Sequence, residues 1–221
     1  MEYIRTELKK PLIIEGIYTI HYFEYTKDFA YSGEFHDFWE IVYADKKSVV
    51  ITAGAQELTL TAGQMYIHKP NEFHKIRCDG TQAANSVILS FDCPCPELMS
   101  IAGVVINCTS EERRLMGLII SEAEDAFSTP LGTSYTRVLE KSETGNFGCE
   151  QMIQLYMEQL LIRLIRGNKQ SVTPKAMPAT LSCLKSANTS NKTSANAFLF
   201  PIFKRNSIFR HPLSKGCSET I

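Results

Sequence analysis

Between Pro11 and Asp92 the chain is a succession of short β-branched and aromatic runs with no helical pattern between them. The runs are PLIIEGIYTIHYFEYT, FHDFWEIVYA, KSVVITA, QELTLTA, QMYIHKP, HKIRC and ANSVILSFD. Turn signals separate them: Ser32-Gly33, Ala53-Gly54, Ala62-Gly63 and Asp79-Gly80. Strands at this spacing, uninterrupted by helices, leave a sandwich or a closed barrel as the stable solutions, because each half-buried strand must cover its apolar face with another sheet.

After Cys93-Pro94-Cys95-Pro96 the period changes. Thr109 followed three residues later by Glu112 is a capping-box signature, and Leu115, Ile119, Ala123 and Phe127 then recur at helical spacing. A polar connection leads to a second helical pattern, CEQMIQLYMEQLLIRLIRGN, with Gly167-Asn168 as the expected stop. Its aliphatic stripe is Ile153, Met157, Leu160, Leu161, Leu164 and Ile165. A stripe this broad either packs on the barrel or pairs with a second subunit, and Ile153, Met157, Leu160, Leu161 and Leu164 are the candidate dimerisation residues. From Lys169 the composition turns to Ser, Thr, Asn, Pro and Lys, interrupted by Pro174, Pro178, Pro201 and Pro212, and reads as a disordered tail. The organisation expected is therefore a barrel over 1–95, a helical segment over 96–168 and a low-complexity basic tail over 169–221.

Charge follows the same division. The whole chain carries a net charge of −1, yet the segment from Lys169 onward holds eight Lys and Arg against Glu219 alone. The first 168 residues are correspondingly acidic, which argues against their binding nucleic acid directly, since phosphate contacts need Lys and Arg. No apolar run reaches the roughly 18 residues of a membrane span, and the charged start MEYIRTELKK has no apolar signal core behind it. The seven cysteines have no regular spacing, and Cys93-Pro94-Cys95 lacks the second pair of a zinc knuckle; they read as reduced thiols in a cytoplasmic protein.

The stretch EFHDFWEIVY, Glu34 to Tyr43, sets an acid, a histidine and a second acid in an apolar run. Burying such groups is costly unless they are paired, hydrated or bound to something. On one strand, side-chain alternation would put Glu34, His36, Phe38, Glu40 and Val42 on a ligand-facing side and Trp39, Ile41 and Tyr43 on a packing side. Tyr66 and His68 are expected to join the first set from QMYIHKP, whereas His21, in an apolar strand, reads as a satisfied core histidine.

FHDFWEIVY followed by LTAGQMYIHKPNEFHKI resembles the two motifs of a cupin, in the version found in the N-terminal sensor domain of AraC-type transcriptional regulators. The matching positions are His36, Trp39, Glu40, Gly63, Pro70 and His74. The resemblance implies a mainly β fold with α, a cupin-like double-stranded β-helix (jelly-roll) barrel, followed by two helices and the tail. It implies a small-molecule effector, a sugar or another polar metabolite, in contact with Glu34, His36, Phe38, Glu40, Tyr66, His68 and His74. It also implies an arm, Tyr3 to Lys10, over the pocket, a homodimer and no enzyme activity. The pattern departs at Glu34, where a metal-binding cupin has its first histidine, at Lys69, where a proline is usual, and at Asn71, where a glycine is common. His36, Glu40 and His74, with Glu34 as a fourth, remain chemically adequate for a divalent metal, although the regulator branch implies no metal or other cofactor. The roughly hundred residues of paired helix-turn-helix that follow the sensor in the family have no counterpart here, so the chain reads as a regulator shortened before its reader, touching DNA only through a folded tail or a partner. The alternatives are a small metal-dependent cupin enzyme, an isomerase or oxygenase, and a heterodimerising interaction protein.

Overall fold

The computed structural model describes residues 2–172; the expected basic tail lies outside them from residue 173 onward. Eight strands and two helices follow in order: β1 Gly16–Tyr25, β2 Trp39–Lys46, β3 Ser48–Ala53, β4 Gln56–Thr61, β5 Gln64–His68, β6 His74–Arg77, β7 Ala84–Asp92, β8 Ile106–Asn107, α1 Ser110–Ala126 and α2 Cys149–Val172. A short 3-10 helix, Pro96–Ser100, joins β7 to β8.

The strands form two antiparallel sheets, in the orders β1-β7-β2-β5-β8 and β4-β3-β6. Bridges from Ala30 to Arg77 and from Glu34 to His74 extend the second sheet with the segment ahead of β2. The chain thus crosses between the sheets from β2 to β3, β4 to β5, β5 to β6 and β6 to β7, and β1 pairs with the distant β7, as in a jelly roll.

The first sheet is buried on both faces, which is why β2, β5 and β7 read as nearly continuous apolar runs. Trp39, Ile41 and Tyr43 of β2 lie in one hydrophobic cluster with Leu115, Ile119 and Ala123 of α1 and with α2. Val42 and Ala44, on the opposite side, meet Val49, Ile51 and Leu60 of the second sheet. The layers are therefore sheet, sheet and helix pair, and the alternation expected for Trp39, Ile41 and Tyr43 is the one observed.

The helices form where the sequence signals them. Thr109 caps α1 with both bonds of a capping box: its backbone N–H donates to Glu112 Oε2 at 2.7 Å and its hydroxyl accepts from the Glu112 N–H at 3.3 Å. α2 also receives the segment ahead of β1. The Ile14 N–H donates to Glu158 Oε1 at 3.1 Å, and Gln154 Nε2 donates to the Ile14 carbonyl at 3.1 Å.

Two expectations are corrected here. The candidate dimerisation residues Ile153, Met157, Leu160, Leu161 and Leu164 are all buried within the chain's own core. The stripe is spent on α1 and the first sheet, and no part of it is left facing outward for a second subunit. Gly167-Asn168 does not stop α2, which runs on to Val172. Gly167 has no left-handed φ, and Asn168 Nδ2 donates to the Ser100 carbonyl at 2.6 Å, tying the last turns to the 3-10 helix. Among the described residues no helix is long and apolar enough to cross a membrane. The five described cysteines are free and buried.

Because Leu160 is fully enclosed, Leu160→Ala is expected to cost about 2–5 kcal/mol of folding stability. Thr109→Ala is expected to cost about 1 kcal/mol by removing one half of the capping box. Equilibrium denaturation in urea measures both.

Candidate functional site

The inner face of the first sheet carries a row of polar side chains at one end of the barrel. Strand register builds it: Thr19 pairs with Ser90, Ser90 with Glu40, and Glu40 with His68. The Thr19 hydroxyl donates to Ser90 Oγ at 2.8 Å, and Ser90 Oγ donates to Glu40 Oε2 at 3.1 Å. This relay fixes the Glu40 carboxylate and aims it across the barrel.

The second sheet answers with His74, the first residue of β6, and Glu34, bridged to it by two backbone bonds of 2.9 and 3.2 Å. Strand β2 does not begin at Phe35, as the sequence suggested, but at Trp39. Phe35 to Phe38 form the corner at which the chain passes from one sheet to the other, and His36 sits on that corner. Glu34, His36 and Glu40 therefore converge from opposite walls rather than along one strand face.

Two local features hold the corner. Asn71 adopts a left-handed conformation, φ 63°, which Asn tolerates better than other residues with a Cβ. That conformation accounts for the glycine the motif carries at this place. It lets the Asn71 N–H donate to the His36 carbonyl at 2.7 Å. Gly33, φ 101°, is required on the other side, because a Cβ there would lie 2.6 Å from Phe73 Cζ and 2.8 Å from the His74 carbonyl oxygen.

The imidazoles are oriented by acceptors that cannot donate. His36 Nδ1 contacts the Phe38 carbonyl at 3.1 Å, and His74 Nδ1 contacts the Glu72 carbonyl at 2.8 Å. A carbonyl only accepts, so each Nδ1 carries the proton, and in the neutral ring Nε2 is left with a bare lone pair. Both Nε2 atoms are buried and make no hydrogen bond. What faces them is carboxylate: Glu40 Oε2 lies 3.4 Å from His36 Nε2, and Glu40 Oε1 and Glu34 Oε1 lie 3.5 and 3.8 Å from His74 Nε2. One ligand atom from each of Glu34, His36, Glu40 and His74 lies within 4.8 Å of all the others. Ligand atoms about 2.1 Å from a tetrahedral divalent ion are roughly 3.4 Å apart, so the spread of this set suits a metal and is too wide for direct N–H···O bonds.

Charge tells the same story. Burial alone would raise the Glu40 pKa, but the neighbouring His36 and His74 rings outweigh it and hold the carboxyl below its usual range. The His74 ring beside Glu34 lowers that carboxyl too. Burial would depress His74, yet Glu34 and Glu40 overcome it and raise its pKa. Among the described residues neither carboxylate has an ion pair with Lys or Arg; their ion-pair partners are imidazoles.

The other sequence candidates gather around this set. His68 is buried, stacks on His74 at a ring separation of 4.6 Å, and sets Nδ1 2.9 Å from Glu72 Oε2. Burial drives its pKa down to about 3, so it stays neutral. Tyr66 lies 4.7 Å from the His68 ring. Phe38 stacks flat on His36 at 3.8 Å and on Tyr18 at 3.9 Å, and shields the outer face of the imidazole. His21 is, as expected, a satisfied core histidine, its Nδ1 3.2 Å from the Leu131 carbonyl. The arm expected over the pocket is not there: Tyr3, Ile4 and Leu8 are each at least 86% exposed. Thr19, Ser90 and Glu72 were not singled out from the sequence. Ser86, Ile88 and Ser90 alternate with Val87, Leu89 and Phe91, and small hydroxyls on the inward positions of a buried strand were the readable signal.

The inner face beyond the polar row is filled by Tyr25, Val42, Ile51 and Leu60. Two antiparallel sheets wrapped as a jelly roll, with the two motif histidines and Glu40 meeting at one end, decide the fold. The barrel is cupin-like. No family model and no curated protein matches the sequence. Among solved structures the chain is similar to a protein described as a predicted oxalate decarboxylase from Thermotoga maritima, at 15% identity over 33% of this chain and 64% of that one, with a TM-score of 0.32. It is similar to an RmlC-like cupin from Shewanella frigidimarina at 13% identity over 34% and 67% of the two chains, TM-score 0.31. It is similar to a cupin protein from Bacteroides fragilis at 13% identity over 33% and 64%, TM-score 0.32. The chain thus spans about two thirds of the length of each of these proteins.

Asn71→Gly is expected to preserve the cupin-like site. Asn71→Val, which puts a β-branched side chain in the left-handed region, is expected to cost about 1–2 kcal/mol and to loosen the His36 corner. Thermal unfolding reads the first effect, and the histidine ring NMR signals read the second.

Proposed function

We propose that the barrel is a divalent-metal receptor held by His36, His74, Glu40 and Glu34, and that it forms the ligand-sensing domain of an AraC-type regulator. The observation that carries the metal is the pair of buried Nε2 atoms without a hydrogen-bond partner, converging with two carboxylates. Two imidazoles and two carboxylates are a donor set for a first-row divalent ion. The bound ion would supply a Lewis-acidic point at which an oxygen donor of a small ligand is captured.

The chain's own residues do the rest. The carbonyls of Phe38 and Glu72 hold the two rings with their lone pairs inward. The Thr19–Ser90 relay keeps Glu40 aimed, as outer-shell partners of metal ligands do. Phe38 and Tyr18 close one side, and Glu34, whose side chain is 46% exposed, leaves the other side open to a small ligand. The sensing role rests on the two motifs and on the order of barrel then helices. Both helices lie on the outer face of the sheet that carries Glu40 and His68, so a ligand that moves this row acts on the surface α1 and α2 pack against, a shift of populations rather than chemistry.

The half-exposed Glu34 also favours a second reading, a small metal-dependent cupin enzyme, because it leaves a side of the centre accessible to substrate. Recovery of a bound ligand unchanged separates sensing from turnover.

Purified protein is expected to bind about one Zn²⁺ or Co²⁺ per chain, and the metal is expected to raise the unfolding temperature in a way a chelator reverses. His36→Ala and His74→Ala are each expected to weaken the metal by more than the roughly 10–100-fold typical of losing an outer-shell partner, and Ser90→Ala to fall within that range. Calorimetric titration measures all three. Absence of metal binding in the folded wild type contradicts the reading.

A further inference from the structure

The charge of the cluster points to the kind of ligand it takes. A divalent ion brings two positive charges, and Glu34 and Glu40, ligating as carboxylates, bring two negative ones. The imidazoles are neutral when they ligate through Nε2. A centre of this composition has no net charge.

Among the described residues no Lys or Arg is ion-paired with either carboxylate. The ion-pair partners of Glu34 and Glu40 among the described residues are His36 and His74, already counted as ligands. His68, the third ring, lies against the Glu72 carboxylate. Arg77 of β6 is paired with Glu57, and Lys69 lies with its side chain against Gly103. His21 is hydrogen-bonded to the Leu131 carbonyl. On the open side an incoming molecule meets the half-exposed Glu34 and an aromatic pair, Phe35 and Phe73, with ring centroids 5.0 Å apart. Phe35 is 67% exposed. The open side therefore presents a carboxylate and two aromatic rings.

We propose that Glu34 is the charge-selecting residue of this centre: by neutralising the metal it admits uncharged oxygen donors, hydroxyl or carbonyl, and turns away small anions such as carboxylates and phosphate. The inference rests on the metal reading of the same four side chains. It goes beyond that reading by naming the class of ligand and the residue that sets it. Had a neutral imidazole stood at position 34, the centre would keep one positive charge and attract an anion. The carboxylate removes that attraction and adds a repulsion at the entrance itself.

The test uses the Co²⁺-loaded protein and its visible spectrum, titrated separately with azide, a small monoanion, and with meso-erythritol, an uncharged vicinal diol. For the wild type the expected result is a spectrum that erythritol shifts and azide leaves unchanged. In Glu34→Gln, which keeps an oxygen donor and removes the charge, azide is expected to bind roughly tenfold tighter or more. Glu34→His, which supplies a nitrogen donor, carries the same expectation if the glutamine variant holds Co²⁺ poorly. The proposal is overturned if azide perturbs the wild type as strongly as the variants, or if it perturbs neither. A wild-type protein that takes up no Co²⁺ overturns the metal reading itself, and that outcome is distinguishable because no d–d spectrum develops before any ligand is added.

Discussion

Two carboxylates at one end of a barrel, Glu40 buried and Glu34 half-exposed, with imidazoles as their ion-pair partners among the described residues, are the constraint around which the rest of the structure is arranged. Lys or Arg would satisfy them permanently, and neither is paired with them among the described residues. The rings cannot do so while neutral, because their Nδ1 protons are committed to the Phe38 and Glu72 carbonyls and their Nε2 lone pairs point at the same oxygens. Lone pairs facing anions in a buried space are unfavourable unless a positive charge sits between them. A metal ion supplies that charge without asking any side chain to move far.

The fold keeps this arrangement rigid by burying one sheet from both sides. Glu40 projects inward from a strand whose outward residues, Trp39 and Ile41, are locked into the helix layer. Its hydrogen bond to Ser90 and the further bond from Thr19 run along three hydrogen-bonded strands, so the carboxylate is positioned by backbone register rather than by a loop. The opposing ligands depend on a tighter device. His36 lies on a corner between sheets, stabilised by the Asn71 bond and by the space Gly33 leaves for Phe73.

Much of this was legible in the sequence, for identifiable reasons. The strands β3 to β7 were readable because Gly-containing turns punctuate them, whereas the starts of β1 and β2 and the two-residue β8 carried no such mark. The capping box at Thr109 and Glu112 announced α1. Glu34, His36, Glu40 and His74 converge on one point, since motif spacing survives even when the local geometry is misjudged. Glu34 and His36 illustrate the misjudgement: period-2 alternation placed them on one strand with Glu40, whereas the chain turns a corner between them. The aliphatic stripe of α2 could not be assigned from sequence, because a stripe buried against its own sheet and one buried against a second chain have the same 3.6-residue period. The Ser90 relay was missed because a serine inside an apolar strand carries no charge to mark it.

The most direct measurement is a crystal of the protein grown or soaked with Co²⁺, with anomalous diffraction recorded at the cobalt edge. The account predicts a single strong anomalous peak among His36 Nε2, His74 Nε2 and the Glu34 and Glu40 carboxylates. A well-ordered barrel with no peak there, the two imidazoles instead hydrogen-bonded directly to the carboxylates, would contradict it.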